Sequence, residues 1–186
     1  MNFLDLVNKR QSVREYKPDP VPVEVLDRCF EAARLAPSAC NSQPWYFIAV
    51  TDRHLIEEIA NRAFSGIYSL NRFAITAPVI VVVITERSRY SVCLGGYFRG
   101  TQYNLIDIGI AVEHFILQAT EEGLGTCWIG WFNEREIHKI LGIPSRRKID
   151  ILLTVGYPAS EEIRPKKRRT LDEIRRYFSG DTREAR

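Results

Sequence analysis

The sequence predicts an α/β or α+β domain organised around one central sheet. Three observations carry that expectation. Short β-branched and aromatic runs (Trp45–Val50, Val79–Thr85, Thr126–Ile129 and Ile149–Val155) alternate with longer stretches whose apolar residues recur at helical spacing. The chain has 186 residues, 45% of them hydrophobic, enough to enclose a core without disulfides or metals. No internal repeat, low-complexity stretch or Gly/Ser/Pro-rich linker divides it, so residues 1–186 are expected to form one domain.

Each element has a local reason. Phe3, Leu6 and Val7 fall on one face of an opening helix. Pro18, Pro20 and Pro22 then impose an extended connection, because each proline pushes its predecessor out of the helical region. Val25, Leu26, Cys29, Phe30 and Ala33 mark a second helix, which Pro37 stops. Trp45–Val50 is a strand by composition, and Leu55, Ile56, Ile59, Ala60 and Ala63 form the inward stripe of the helix that follows. Val79–Thr85 is continuously apolar, as suits a strand covered on both faces.

Leu105, Ile108, Val112, Phe115, Ile116 and Ala119 give the longest helical stripe, ending at Gly123-Leu124-Gly125, with Gly109 small enough to admit a neighbouring backbone. Asn133-Glu134-Arg135-Glu136 and Thr170-Leu171-Asp172-Glu173 both have capping-box spacing, in which the first and fourth side chains accept from each other's backbone N–H. Residues 85–101, with Gly95, Gly96 and Gly100, lack a helical period and are expected to form a variable lid.

Composition excludes several functions. Net charge is +3, from 26 Lys and Arg against 23 Asp and Glu, too mild for a protein that coats a polyanion. Cys29, Cys40, Cys93 and Cys127 have no C-x-x-C spacing, and His54, His114 and His138 add no ligand pattern, so neither a disulfide framework nor a metal site is expected. Cys29, Cys93 and Cys127 read as core thiols and Cys40 as an inert one. The opening residues lack a basic n-region and carry Asp5, unlike a signal peptide. The longest uncharged run, Phe73–Thr85, is short of the ~20 residues that a bilayer span requires. The expected protein is soluble and cytoplasmic, with no membrane partner. Walker, Rossmann, serine-hydrolase and zincin motifs are absent.

Three segments offer chemistry, each with a plain alternative. Arg10-Gln11-Ser12-Val13-Arg14 sets two guanidinium forks and a hydroxyl where a phosphate would suit them, or simply decorates a helix C-terminus with cations. Ala36-Pro37-Ser38-Ala39-Cys40-Asn41-Ser42-Gln43-Pro44-Trp45 packs amides and hydroxyls between prolines, either to hydrogen-bond a heteroaromatic edge or to make an Asx/Ser turn. Arg164-Pro165-Lys166-Lys167-Arg168-Arg169 has five cations in six residues and would serve a nucleic acid, a localisation receptor, a single phosphate or nothing but solvation. Modest net charge and the lack of interleaved aromatics weigh against nucleic acid.

The order and spacing of these segments resemble the FMN-dependent nitroreductase family from about Phe3 to about Ile174. Arg-Gln-Ser-Val-Arg-Glu-Tyr resembles its opening phosphate motif, and Ala-Pro-Ser-Ala-Cys-Asn-Ser-Gln-Pro-Trp-Tyr-Phe its most recognisable signature. Asp107-Ile108-Gly109-Ile110-Ala111, Gly123 to Trp128, Val155-Gly156-Tyr157-Pro158 and the basic run with Leu171 and Glu173 follow in the family's order.

The resemblance implies an α/β/α sandwich of the α+β class, with a mixed central sheet flanked by helices, in a homodimer that holds FMN between subunits. It implies that Arg10, Ser12, Lys166 and Arg168 hold the FMN phosphate and that Arg14 reaches the ring's N1/O2 edge, unless Arg14 merely caps the first helix or pairs with Glu15 or Asp19. Asn71 would bond the N3/O4 side, the backbone at Gly130-Trp131 would meet N5, and Ser38, Asn41 and Gln43 would shape the ribityl and ring pocket. Trp131 and Phe132 stand near the expected flavin face, with core packing as the alternative for both.

The implied function is transfer of hydride from NADH or NADPH through FMN N5 to nitroaromatics or quinones, with no strong acid or base required of the protein. Three alternatives stay open: another reaction on the same fold (reductive dehalogenation or flavin breakdown), a non-catalytic flavin binder, and a nucleic-acid module using Arg164–Arg169.

Overall fold

Continuous burial of one strand sets the layering. The computed structural model describes residues 2–86 and 100–178. It has strands β1 (Trp45–Val50), β2 (Val79–Thr85), β3 (Gly125–Ile129) and β4 (Lys148–Gly156), in the spatial order β1-β2-β4-β3. All three pairings are antiparallel. The parallel component of the sheet, among the described residues, is a bridge from Ser12 to Thr126 on the free side of β3. The helices are α1 (Phe3–Lys9), α2 (Val23–Arg34), α3 (Arg53–Ala63), α4 (Tyr103–Glu121), α5 (Glu134–Leu141) and α6 (Leu171–Ile174), with 3-10 turns at Ala39–Asn41 and Gly66–Thr76.

Val79, Val81 and Val83 of β2 pack into one core with Leu26, Cys29 and Ala33 of α2 and Ile108, Val112 and Phe115 of α4. Ile80, Val82 and Ile84 pack into a second with Ile56, Ile59 and Ala63 of α3 and Ile137 of α5. The result is the expected α/β/α sandwich. Each Val, Leu, Ile or Phe among them contributes about 1.5–3 kcal/mol by leaving water, which is why β2 holds no polar residue before Thr85. Phe30 bridges layers, with ring centroids 5.7 Å from Phe47 and 5.1 Å from Phe115. A bidentate pair from Arg28 to Glu122, both bonds 2.7 Å, ties α2 to the end of α4. Hydrogen bonding to Arg28 holds the Glu122 carboxyl at about 2, so its contribution is present above the ordinary carboxylate range and is lost as pH falls towards 2.

Some expectations change in the folded chain. The α1 face with Phe3 is covered only in part: Leu6 and Val7 are half-buried, no residue of α1 is fully buried, and Phe3 is 65% exposed. Among the described residues nothing lies within 4 Å of where a Cβ on Gly109 would sit, so none of their backbone outside its own helix approaches it. The Asn133–Glu136 capping box does not form, because Asn133 N–H donates to Ala63 O at 2.9 Å and Glu136 is taken by Arg62 and Lys139. At Thr170 the carboxylate half does form, Thr170 N–H donating to Glu173 at 2.6 Å. Most of the expected lid, and Cys93 with it, falls on residues 87–99, outside the described residues.

Residues 12–17 are seated across the end of the sheet. Val13 N–H donates to Thr126 O, and Lys17 N–H to Tyr157 O, both at 2.8 Å. The buried Tyr16 hydroxyl lies 2.7 Å from both Val13 O and Thr154 Oγ1. Two glycines leave room for this. A Cβ on Gly125 would stand 2.5 Å from Val13 Cγ2, and one on Gly156 would stand 2.4 Å from Pro78 Cδ and 3.0 Å from Tyr16. Gly156→Ala is therefore expected to lose about 1–3 kcal/mol of stability to overpacking, read from urea unfolding midpoints. An unchanged midpoint would mean that Pro78 and Tyr16 yield freely.

Candidate functional site

The seated N-terminal segment meets the basic run. Lys166 Nζ donates to Arg10 O, and Arg164 donates through Nη2 to Ser12 O and through Nε to Gln11 Oε1 at 3.1 Å. Gln11 Nε2 donates in turn to Glu162 O at 2.7 Å. Burial, and then repulsion from Arg10, Arg168 and Arg164, holds the Lys166 ammonium below its ordinary range. None of these four cations makes an ion pair with a carboxylate among the described residues. A cluster of mutually repelling donors fits one phosphate dianion, which would supply the missing counter-charge. Sequence reasoning placed Arg10, Ser12, Lys166 and Arg168 here. It missed Gln11 and Arg164, whose roles depend on partners about 150 residues away.

Further along β3 a second group gathers. Arg14 sets its guanidinium carbon 5.9 Å from the Phe73 ring centroid and makes no ion pair with Glu15 or Asp19. The first helix ends at Lys9, so Arg14 does not cap it. Burial raises the Cys127 thiol, and Arg14 and Arg164 close by hold that rise back. Asn71 Nδ2 donates to Trp131 O at 2.7 Å, and Trp131 Nε1 donates to Ile67 O at 3.1 Å. Gly130 and Trp131 follow the end of β3, with the Trp131 indole 56% exposed and tilted against Tyr68 at 5.1 Å. Phe132 takes the opposite side, 9% exposed in the second core. Core packing therefore describes Phe132 and not Trp131.

Ser38, Asn41 and Gln43 lie apart from both groups, with no hydrogen bond or ion pair to either among the described residues. Their loop is strained. Cys40, Asn41 and Gln43 have φ of 51°, 52° and 47°, and left-handed conformations cost non-glycine residues about 1–3 kcal/mol each. Ser38 Oγ accepts from Gln43 N–H at 3.0 Å, and Gln43 Nε2 donates to Asn41 Oδ1 at 2.9 Å. Asp107 of α4, only 4% exposed, accepts from Ala39 N–H at 3.1 Å. Backbone strain of this kind gathers at functional sites, which makes the loop a candidate for one.

The chain is similar in sequence and fold to known proteins. The family model described as "Nitroreductase family" matches residues 7–72 and 68–157. Iodotyrosine deiodinase 1 of Rattus norvegicus is 31% identical over 195 aligned residues, covering 92% of this chain and 68% of that protein. The Archaeoglobus fulgidus protein called "Putative NADH dehydrogenase/NAD(P)H nitroreductase" is 29% identical over 163 residues, 86% of this chain and 87% of its own. The crystal structure of a nitroreductase family protein from Clostridium difficile 630 superposes with a TM-score of 0.75 at 31% identity, over 96% of this chain and 99% of that one.

The cation cluster gives a flavin-free test. Because charging Lys166 is disfavoured in the folded state, stability should rise with pH through its lowered titration, and a bound dianion should relieve the repulsion. Inorganic phosphate is expected to raise Tm at pH 7 beyond chloride at equal ionic strength. Arg10→Ala and Arg168→Ala should each weaken that binding roughly ten- to a hundredfold, the worth of a charge-assisted contact. Equal responses to the two salts would return the basic run to solvent.

Proposed function

The chain belongs to the nitroreductase family, and on that premise we propose that it is an FMN-dependent oxidoreductase, one domain carrying a flavin site. When bound, FMN supplies two-electron chemistry at N5 between NADH or NADPH and an electron-poor acceptor such as a nitroaromatic or a quinone. The observation that carries the reading is the meeting of Arg10–Arg14 with Lys166–Arg168, 156 residues apart at the Lys166–Arg10 bond. That cluster suits one terminal phosphate, and the chain has no dinucleotide fingerprint, which favours FMN over FAD.

The residues divide the work. Arg10, Ser12, Lys166 and Arg168 would hold the phosphate. Arg14 would face N1/O2, where negative charge collects on reduction. Asn71, its amide NH2 committed to Trp131 O, keeps Oδ1 to accept from ring N3–H. The Gly130-Trp131 backbone would lie against N5, with Ser38, Asn41 and Gln43 closing the ribityl and ring pocket.

We also propose a homodimer, with the 38–43 loop of one subunit completing the site of the other. Phe3, Leu4, Leu105, Ile106, Leu171, Ile174, Tyr177 and Phe178 are exposed apolar residues that a second copy would cover, and among the described residues β1 leaves one edge unpaired. Sedimentation should show a dimer at micromolar concentration whether or not flavin is present. A flavin-loaded monomer would contradict it.

Anaerobic reduction of the reconstituted protein by NADH and by NADPH tests the function, followed by an acceptor panel. The deiodinase similarity favours reductive dehalogenation as a second reading, so the panel includes an iodotyrosine with iodide release as its readout. Reduction by neither nicotinamide would leave a flavin binder. Arg14→Gln is expected to lower the bound flavin's midpoint potential by roughly 30 mV for each ~1.4 kcal/mol of differential stabilisation lost. A potential that stays or rises, measured by spectroelectrochemistry, removes Arg14 from the ring's edge.

A further inference from the structure

We propose that Asp107 is the positioning residue of the 38–43 loop, its buried carboxylate holding the loop in the left-handed form that presents Ser38, Asn41 and Gln43 to the flavin. The inference rests on the FMN reading above. Its ground is an acid where the fold has no use for one. Asp107 follows the half-exposed Leu105 and Ile106 and precedes Ile108 and Val112, which pack in the first core, and the buried Ala111. A carboxylate in that row is costly unless its oxygens are satisfied. Oδ1 accepts from Ala39 N–H, but Oδ2 is buried with no hydrogen-bond partner among the described residues.

The single bond that Asp107 does make stands at the decisive place. Ala39 immediately precedes Cys40, the first of the three residues with positive φ. The other hydrogen bonds of residues 38–43 close on the loop itself: Asn41 N–H to Ser38 O, Ser42 N–H to Ala39 O, Gln43 N–H to Ser38 Oγ and the Gln43 amide to Asn41. Among the described residues, the Ala39–Asp107 bond is thus the one hydrogen bond that fixes this loop to another element. Without it the strained turn keeps its internal bonds but loses its orientation towards a ligand. A half-satisfied buried acid is retained because it anchors the loop before any ligand arrives.

Two measurements separate this from a general structural role. Amide exchange in the flavin-free protein reads the loop directly. Asp107→Leu, which suits the apolar surroundings, should speed exchange at Ala39 and Gln43 by about tenfold or more while β2 amides keep their wild-type rates. The same variant should bind FMN about tenfold or more weakly, whereas Asp107→Asn, which keeps an acceptor oxygen, should stay within about threefold of wild type in both. Asp107→Ser, polar but too short to reach Ala39, gives the same reading if the leucine disturbs β2. Unchanged loop exchange in the Leu and Ser variants would overturn the proposal, as would a loosened loop with unchanged FMN affinity, or an Asn variant as damaged as the Leu one. Wild-type protein that binds no FMN refutes the functional reading instead, and the exchange measurement alone then decides whether Asp107 holds the loop.

Discussion

The seating of residues 12–17 against the sheet is the contact on which the rest depends. It is permitted by side chains that are missing: Gly125 gives way to Val13, and Gly156 to Pro78 and Tyr16. Burial pushes the Tyr16 phenol well above its ordinary range, so its hydroxyl stays a neutral hydrogen-bonding group to Val13 O and Thr154. Val13 and Tyr16 fill the space, and the residues between and before them are carried to the free side of β3. Only then can the 162–168 stretch fold back and bond Arg10, Gln11 and Ser12. Packing in one small satellite core thereby places charge at a distant position in the chain.

That charge is distributed unlike the rest of the surface. Elsewhere several arginines find carboxylates: Arg28 takes Glu122, Arg34 takes Glu31, Arg53 takes Glu57, and Arg62 takes Glu58 and Glu136. Such exposed pairs contribute little to stability, but they show that the sequence has acids to spare. At the meeting of the two basic segments Arg10, Arg164, Lys166 and Arg168 form no ion pair among the described residues, and Lys166 bears the repulsion. A fold selected for stability alone would neutralise this spot, and the proposed phosphate site gives the standing cost a reason.

The strained loop repeats the pattern in backbone form. Three residues held at positive φ and a half-satisfied Asp107 are local conflicts that packing would remove if it were free to. Both conflicts sit beside groups able to hydrogen-bond a planar heterocycle or its phosphate, and α1 and the 163–178 stretch carry exposed apolar residues that the proposed homodimer would cover.

Local pattern by itself determined the layers. Strand and helix positions follow from period-2 or period-3.6 repeats and from proline sterics, which act over a few residues, so β1 and β2 lie where their composition puts them. The motif segments with Arg10, Ser12, Lys166 and Arg168 were legible for a similar reason, as unusual donors crowded into short runs. Other features were decided only by contacts far along the chain. Ala63 O claimed the Asn133 N–H and dissolved an apparent capping box. Trp131 and Phe132, adjacent and alike in sequence, parted because one faces solvent and the other the second core. Gln11 and Arg164 joined the site through each other, and Asp107 gained its meaning from Ala39, 68 positions away. Periodicity records which face of an element is buried, but a polar side chain's partner exists only once the sheet has brought distant segments together.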